Sequence, residues 1–438
     1  MKRKIRNTIP FLLLLLIVII ALAWKPVMTA IPAFEISGAD TAWMLTATAL
    51  VLIMTPGLAF FYGGMVNKKN VISTMLQSFI SMALITILWV VFGFSLAFGA
   101  SYNGIVGNPF TFAFMRGVIE HQPWQLAPTI PFLLFAFYQL KFAIITPALI
   151  SGTFAGRIKF TSYLLFISLF CIFIYCPLAH ATWHPEGILY KYGVLDFAGG
   201  TVVHMSAGWA ALAAAIYLRK RNDPVHNPAR ISYVLLGTGL LWFGWFGFNA
   251  GSAFGANQIA VVALATTTTA SAGAAFTWIL FDLFRNRKPS AMGTCIGAVV
   301  GLVAITPAAG YISIEHSLVI GIVSSIISNL AVEWRTKTSI DDTLDVFPCH
   351  GVGGMVGFML TAVFANQNIN PANTTGNGLF FGESHLFIVH LLTMLIVSAL
   401  VLAGTFVLLK LTDLISPLRI DEVQEAEGLD WSQHGERL

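Results

Sequence analysis

The sequence predicts an all-α polytopic membrane protein with eleven transmembrane helices, and two observations carry that expectation. Of the 438 residues, 57% are hydrophobic and only 10% carry a formal charge, against about 25% charged in a typical soluble domain. That leaves too little polar surface to cover a water-soluble globule. The apolar residues are also grouped into windows of about 20, the length that crosses the hydrocarbon core of a bilayer. The net charge of +4 is modest and shows no nucleic-acid footprint. Cys171, Cys176, Cys295 and Cys349 lie in or beside apolar stretches, with no CxxC pair and no metal-ligand spacing, and read as packing thiols. No cofactor and no metal are expected.

The chain opens on a basic cluster, Lys2, Arg3, Lys4 and Arg6, followed by an apolar run from Phe11 to Ala23 that ends Ala21-Leu22-Ala23 before Trp24. Residues 1–23 thus have the layout of a secretory signal peptide, with an uncleaved anchor as the alternative. The expected spans then follow at 42–64, 71–99, 126–151, 160–183, 197–218, 231–254, 257–284, 290–311, 316–334, 348–366 and 385–411. A transmembrane domain over 24–411 is left with a short acidic tail, 412–438.

Orientation follows from the Lys and Arg between spans. Alternate loops carry Lys68 and Lys69; Arg157 and Lys159; Arg219, Lys220, Arg221 and Arg230; Arg285, Arg287 and Lys288; and Arg335 and Lys337. The opposite loops carry only Arg116 and Lys191. The mature N-terminus is therefore expected outside and the tail in the cytoplasm, a parity that an odd number of spans satisfies.

A faint echo runs through the spans. Ile145-Thr146-Pro147-Ala148 in the third matches Ile305-Thr306-Pro307-Ala308 in the eighth, and the fifth and tenth each hold a His after an Asp: Asp196 with His204, and Asp345 with His350. Members of each pair are five spans apart, an odd number, so the repeat is inverted in the membrane. In such five-plus-five architectures the substrate path runs along the pseudo-symmetry interface at mid-depth.

Ionisable groups inside a membrane are costly and mark functional candidates. Here they are Asp196, His204, His350, Lys141, and, near span ends, Asp282 and Glu333. A lone His is commonly a satisfied core residue. Two at equivalent places in an inverted repeat suggest a shared site in which one imidazole donates to the other, giving a dry pore a polar handle for a proton. Asp196 begins the run Asp196-Phe197-Ala198-Gly199-Gly200 at a helix start, where a carboxylate caps exposed backbone donors; that reading competes with direct cation contact. Taken alone, Trp183 reads as an interfacial belt residue, and Phe142 and Phe248 as core.

Five segments together resemble the ammonium transporter family, Amt/Mep/Rh, in its bacterial Amt branch. They are the stretch from Asp40 to Asn70 (DTAWMLTATALVLIMTPGLAFFYGGMVNKKN), Asp196 to His204 (DFAGGTVVH), Gly244 to Ser252 (GWFGFNAGS), Asp345 to Gly351 (DVFPCHG) and Glu427 to Glu436 (EGLDWSQHGE). They occur in family order and span nearly the whole chain after the leader. The resemblance implies a homotrimer in a bacterial inner membrane, each subunit with its own ammonium-transporter-like pore, and ammonium or ammonia as substrate with methylammonium as analogue. It implies Trp183, Phe142 and Ser252 as an external recruitment site supported by Asp196, Phe142 and Phe248 as a hydrophobic gate, and His204 and His350 as twin histidines in the lumen. It also implies a regulatory tail, with Gly428, Leu429, Asp430, His434, Gly435 and Glu436, that couples subunits and helps a PII signalling protein plug the cytoplasmic exits.

Two departures stand out: Tyr138 replaces a usual vestibule Phe, and Lys141 sits beside Phe142. Adjacent helical residues diverge by about 100°, so Lys141 is expected to face away from the pore, snorkelling or paired with a carboxylate. Two rival readings are an ammonium sensor signalling through the tail, and a membrane oxidoreductase using His204 and His350 as axial haem ligands. The latter needs a pocket the size of a macrocycle.

Overall fold

The computed structural model describes residues 2–23, 33–224 and 227–438. Lys2–Ala23 forms one helix whose apolar surface is largely exposed; Trp24, just past the expected cleavage point, lies outside the described residues. Among the described residues, ten helices are long and apolar enough to cross a membrane: Gly38–Met65, Lys68–Phe98, Phe132–Phe154, Phe160–Lys191, Gly200–Leu218, Ile231–Ala253, Gln258–Phe284, Ile314–Thr336, Phe347–Phe364 and His385–Ile415. The expected eighth span is a shorter helix, Ala291–Ile305. Pro307 has no N–H to continue a helical ladder, and the chain goes on in tight turns to Tyr311. Counted with it, the described segments make eleven, here called spans 1 to 11.

Boundaries follow local chemistry. Ser37, Asn257 and Ser290 cap the starts of spans 1, 7 and 8, each side chain accepting a backbone N–H from the first turn. Span 3 was expected from residue 126 but starts at Phe132, because Pro131 holds an extended backbone at its N-terminus (φ −57°, ψ 138°). Spans 1 and 6 pack backbone to backbone: a Cβ on Gly237 would meet the Phe61 nitrogen at 2.3 Å, and one on Gly247 would meet the Ala47 oxygen at 2.7 Å. Without a hydrophobic drive between helices in lipid, such backbone proximity supplies the packing energy.

The inverted repeat is visible in detail. Thr146 and Thr306 each donate to the carbonyl four residues back, at 2.7 and 2.8 Å. Spans 5 and 10 both begin with a π-helical turn, Gly200–Met205 and Phe347–Val352, and these turns carry His204 and His350. The acidic pairing read from sequence needs correcting. Asp342, not Asp345, is the counterpart of Asp196. Each precedes its His by eight residues, and each accepts the backbone N–H five residues on, from Thr201 at 2.9 Å and from Phe347 at 2.7 Å. Asp345 instead pairs with Arg335 at 2.7 Å. The nearer acid hid the better match because the sequence offers both Asp342 and Asp345 before a single His.

At the end of the molecule rich in Lys and Arg, the tail is folded against the loops. Arg157, fully buried between spans 3 and 4, donates to the carbonyls of Thr153 and Arg219 and forms an ion pair with Asp341 at 3.0 Å. Burial pulls its guanidinium down to about 10, with Asp341 acting in the opposite direction. Arg221 also holds Asp341, at 2.9 Å. The backbone of Arg157 accepts from Ile420, and Arg419 reaches Glu425 at 2.9 Å, so the start of the tail is tied to this core.

Candidate functional site

Opposite the tail, an open vestibule of about 600 Å³ is lined by Phe142, Trp183, Asp196, Ser252, Phe254 and Tyr311, among others. Asp196 shapes its wall. Its carboxylate accepts from the backbone of Gly199, Gly200 and Thr201 and from the Thr201 hydroxyl, while its carbonyl accepts the Trp183 indole N–H at 3.0 Å. Gly199 turns the chain at φ 116°, a left-handed value that a side chain would strain. Among the two roles considered for Asp196, the cap is therefore the one the geometry displays.

The vestibule closes where Phe142 and Phe248 meet, their ring centroids 4.3 Å apart. Trp183 stands edge-on to Phe142 at 5.9 Å. Behind the rings is a cavity of about 10 Å³, lined by Met54, Leu58, Ile145, Leu149, Leu241 and Val299 together with Trp245, His204 and His350. That is room for about one water and none for a macrocycle, which removes the haem reading. The two imidazoles meet Nδ1 to Nδ1 at 3.2 Å, with centroids 5.4 Å apart. Since one nitrogen must donate and the other accept, the two rings hold opposite tautomers. Nε2 of His204 is buried with no hydrogen-bond partner among the described residues.

The contact depends on backbone proximity. A Cβ on Gly208 would lie 2.2 Å from both the Cα and the N of Gly351, so spans 5 and 10 cross within a helix turn of the two histidines. Sequence reasoning missed Trp245, whose indole stacks on His204 at 5.4 Å and donates to Thr306 at 2.9 Å. The only signal was its place between two glycines in GWFGFNAGS.

Tyr138 does not line the vestibule. It is fully buried behind it, its hydroxyl 2.9 Å from the carbonyls of Gly247 and Phe248 and 3.2 Å from the Ser252 hydroxyl. Lys141 lines neither cavity. It is half-buried on the outward stripe of span 3 that includes Leu133 and Phe137, and it has no carboxylate partner among the described residues. Asp282 and Glu333 are accounted for by Asn329 and Arg287, and by Arg285 and Lys337. All four cysteines are buried and unpaired.

The tail residues cluster as a docking motif. Asp430 accepts from the backbone of Ile72 and Ser73 at the start of span 2, at 3.0 and 2.8 Å, and His434 meets the Ser73 hydroxyl at 3.1 Å. Leu429 donates to Asn70, and Gly428 fits against Lys69 where a Cβ would come within 2.5 Å. Gly435 and Glu436 close the last turn on Trp431 and Asp430.

The sequence pattern of the Ammonium Transporter Family matches residues 42–437. The chain belongs to the ammonium transporter family. The transporter is 43% identical over 403 residues to a putative ammonium transporter of Methanothermobacter thermautotrophicus, covering 92% of this chain and 98% of the relative. It is 43% identical over 400 residues to the ammonium transporter of Bacillus subtilis, covering 91% and 98%. Its fold superposes on the crystal structure of Saccharomyces cerevisiae Mep2 with a TM-score of 0.84 at 35% identity, over 89% of each chain. A protein titled Sensor Amt Protein matches with a TM-score of 0.82 at 26% identity, over 90% of this chain and 98% of that one. Relatives of this kind are transporters, not enzymes, and ammonium transport is the activity the family carries.

Proposed function

We propose that the transporter recruits ammonium at the outer mouth, beside Trp183, Phe142 and Ser252, and passes neutral ammonia beyond the Phe142–Phe248 gate. The carrying observation is the lumen itself: a cavity of about 10 Å³ walled by hydrocarbon, with the His204–His350 pair as its polar element. An aromatic face returns roughly 2 kcal/mol to a desolvated cation, whereas a charge at the bilayer centre costs at least about 3 kcal/mol. Aromatic contacts therefore hold the cation at the wet mouth but do not carry it through. The proton is left outside or moves by way of the imidazole pair. Potassium has similar size and charge but no proton to lose, so selection is chemical as well as steric.

In this reading the chain is a homotrimer in a bacterial inner membrane, residues 1–23 are its signal peptide, and the basic loops and tail face the cytoplasm. There the tail couples subunits and meets a PII partner. Transport is preferred to sensing because the transporter relatives stand at 43% identity and the sensor at 26%. The test is current from proteoliposomes given an ammonium pulse. Ammonium and methylammonium should respond and potassium should not; equal potassium current would overturn the reading.

A further inference from the structure

His390 lies in span 11, fully buried, away from both the vestibule lining and the lumen. Its Nδ1 is 2.9 Å from the Phe358 carbonyl and its Nε2 is 3.1 Å from the backbone nitrogen of Leu195. A carbonyl can only accept and an amide N–H can only donate, so the ring is fixed in one neutral tautomer with the proton on Nδ1. It also stacks on Phe358, with centroids 4.0 Å apart. The imidazole is thus clamped to span 10 on one side and aimed at Leu195 on the other.

Leu195 immediately precedes Asp196. Three bonds hold this short stretch of chain: His390 to the N–H of Leu195, the Trp183 indole to the carbonyl of Asp196, and the Phe197 N–H to the carbonyl of Pro307. The other two partners sit in span 4 and in the turns that follow span 8, so His390 is the one that ties the stretch to span 11. Asp196 in turn sets the start of span 5 and receives the indole of Trp183. We propose that His390 is a positioning residue for the recruitment site: its Nε2 lone pair fixes Leu195–Asp196, and through them the indole at the outer mouth. This rests on the proposed role of Trp183 and Asp196 in recruitment.

The test uses the geometry of the ring. In His390→Gln the amide oxygen takes the place of Nε2 and keeps the bond to Leu195. In His390→Asn the amide nitrogen takes the place of Nδ1 and keeps only the bond to Phe358. Each variant loses one hydrogen bond, so a purely structural role moves both alike. Full-length variants are reconstituted and methylammonium-driven currents are fitted for apparent KM and maximal rate, with thermal melting as a stability control. His390→Asn should raise KM about five- to tenfold, the equivalent of roughly 1 kcal/mol, with the maximal rate within about twofold. His390→Gln should keep KM within about twofold of the unaltered protein. If KM stays at the wild-type value in His390→Asn, or rises equally in both, the proposal is overturned. Should one variant fail to assemble, the other decides alone: an unchanged Asn variant or a tenfold-impaired Gln variant overturns it. Absence of ammonium current from the wild-type protein would instead sink the transport reading itself.

Discussion

Tyr138 adds to the proposed recruitment site a hydroxyl that a Phe would not have, and it does so from behind the wall. Its O–H spans the carbonyls of Gly247 and Phe248 and approaches Ser252, whose own hydroxyl bonds to Phe248 at 2.9 Å. The phenol thus fixes the end of span 6, where Ser252 lines the vestibule. Tyr138→Phe removes a buried bond worth about 1 kcal/mol and is expected to raise the methylammonium KM about fivefold with little change in maximal rate, read from substrate titrations of reconstituted protein. Lys141 carries the opposite expectation. It lines neither cavity, so Lys141→Ser should leave KM within about twofold; a large gain in affinity would place its charge in the vestibule. The outward direction of Lys141 was legible from helical periodicity, and the suspicion that His204 and His350 meet from their equivalent places in the inverted repeat. The hidden position of Tyr138 was not, because residue type does not say on which side of a packed wall a ring lies.

At the level of elements, spans 5 and 10 work as one unit. Their π-helical openings present His204 and His350, and the Gly208–Gly351 crossing brings the two backbones into contact. Gly208→Ala would force a methyl into that crossing. The expected result is destabilisation of about 1–3 kcal/mol by overpacking in a thermal melt, together with at least tenfold loss of ammonium current as the imidazoles separate. Normal current would show that the crossing tolerates the methyl. Hydropathy read ten spans clearly. It overextended the eighth, where Pro307 ends the regular helix but apolar residues continue to Tyr311. The repeat was legible through Thr146-Pro147 and Thr306-Pro307, whereas π-turns leave no periodic trace, and Asp342 was passed over for the nearer Asp345.

The whole molecule is fastened at its basic end, where the tail touches spans 2 and 4 and the loops around Arg157 and Arg221. An acidic tail beside basic loops is a pattern the sequence displays, but it does not disclose that Asp430 caps the start of span 2 or that Glu425 accepts from the Asn222 backbone at 2.6 Å. Those contacts require the three-dimensional meeting of distant segments. Deleting residues 421–438 is expected to lower transport several-fold and weaken PII binding while leaving trimers intact, as measured by currents, pull-down and size-exclusion chromatography. Full transport and full PII affinity would make the tail a passive extension. Asp341 gives the same region a pH dependence. Burial opposes its charge, but Arg221 and Arg157 outweigh burial and hold the carboxyl below its ordinary value. The stability it contributes is therefore present above the ordinary carboxylate value of about 4 and is lost as pH falls through the lower folded value. Asp341→Asn, leaving Arg157 buried without its countercharge, should cost about 3 kcal/mol in a neutral-pH melt and blunt that acid loss.

The Nδ1–Nδ1 contact between the histidines gives the pair a memory. With the shared hydrogen on His204, the bare Nε2 of that ring is ready to take a proton from the outer side. When it does, the shared hydrogen passes to His350, and His350 must release its own Nε2 proton inward. The two tautomers have then exchanged, and the bare Nε2 now belongs to the inner ring. A second inward proton finds no acceptor until both rings turn over or an outward transfer restores the first arrangement. Under the proposed transport reading, a relay built this way works one stroke at a time, and the frequency of its resetting, rather than the supply of protons, sets the ceiling on how many accompany ammonia through the pore.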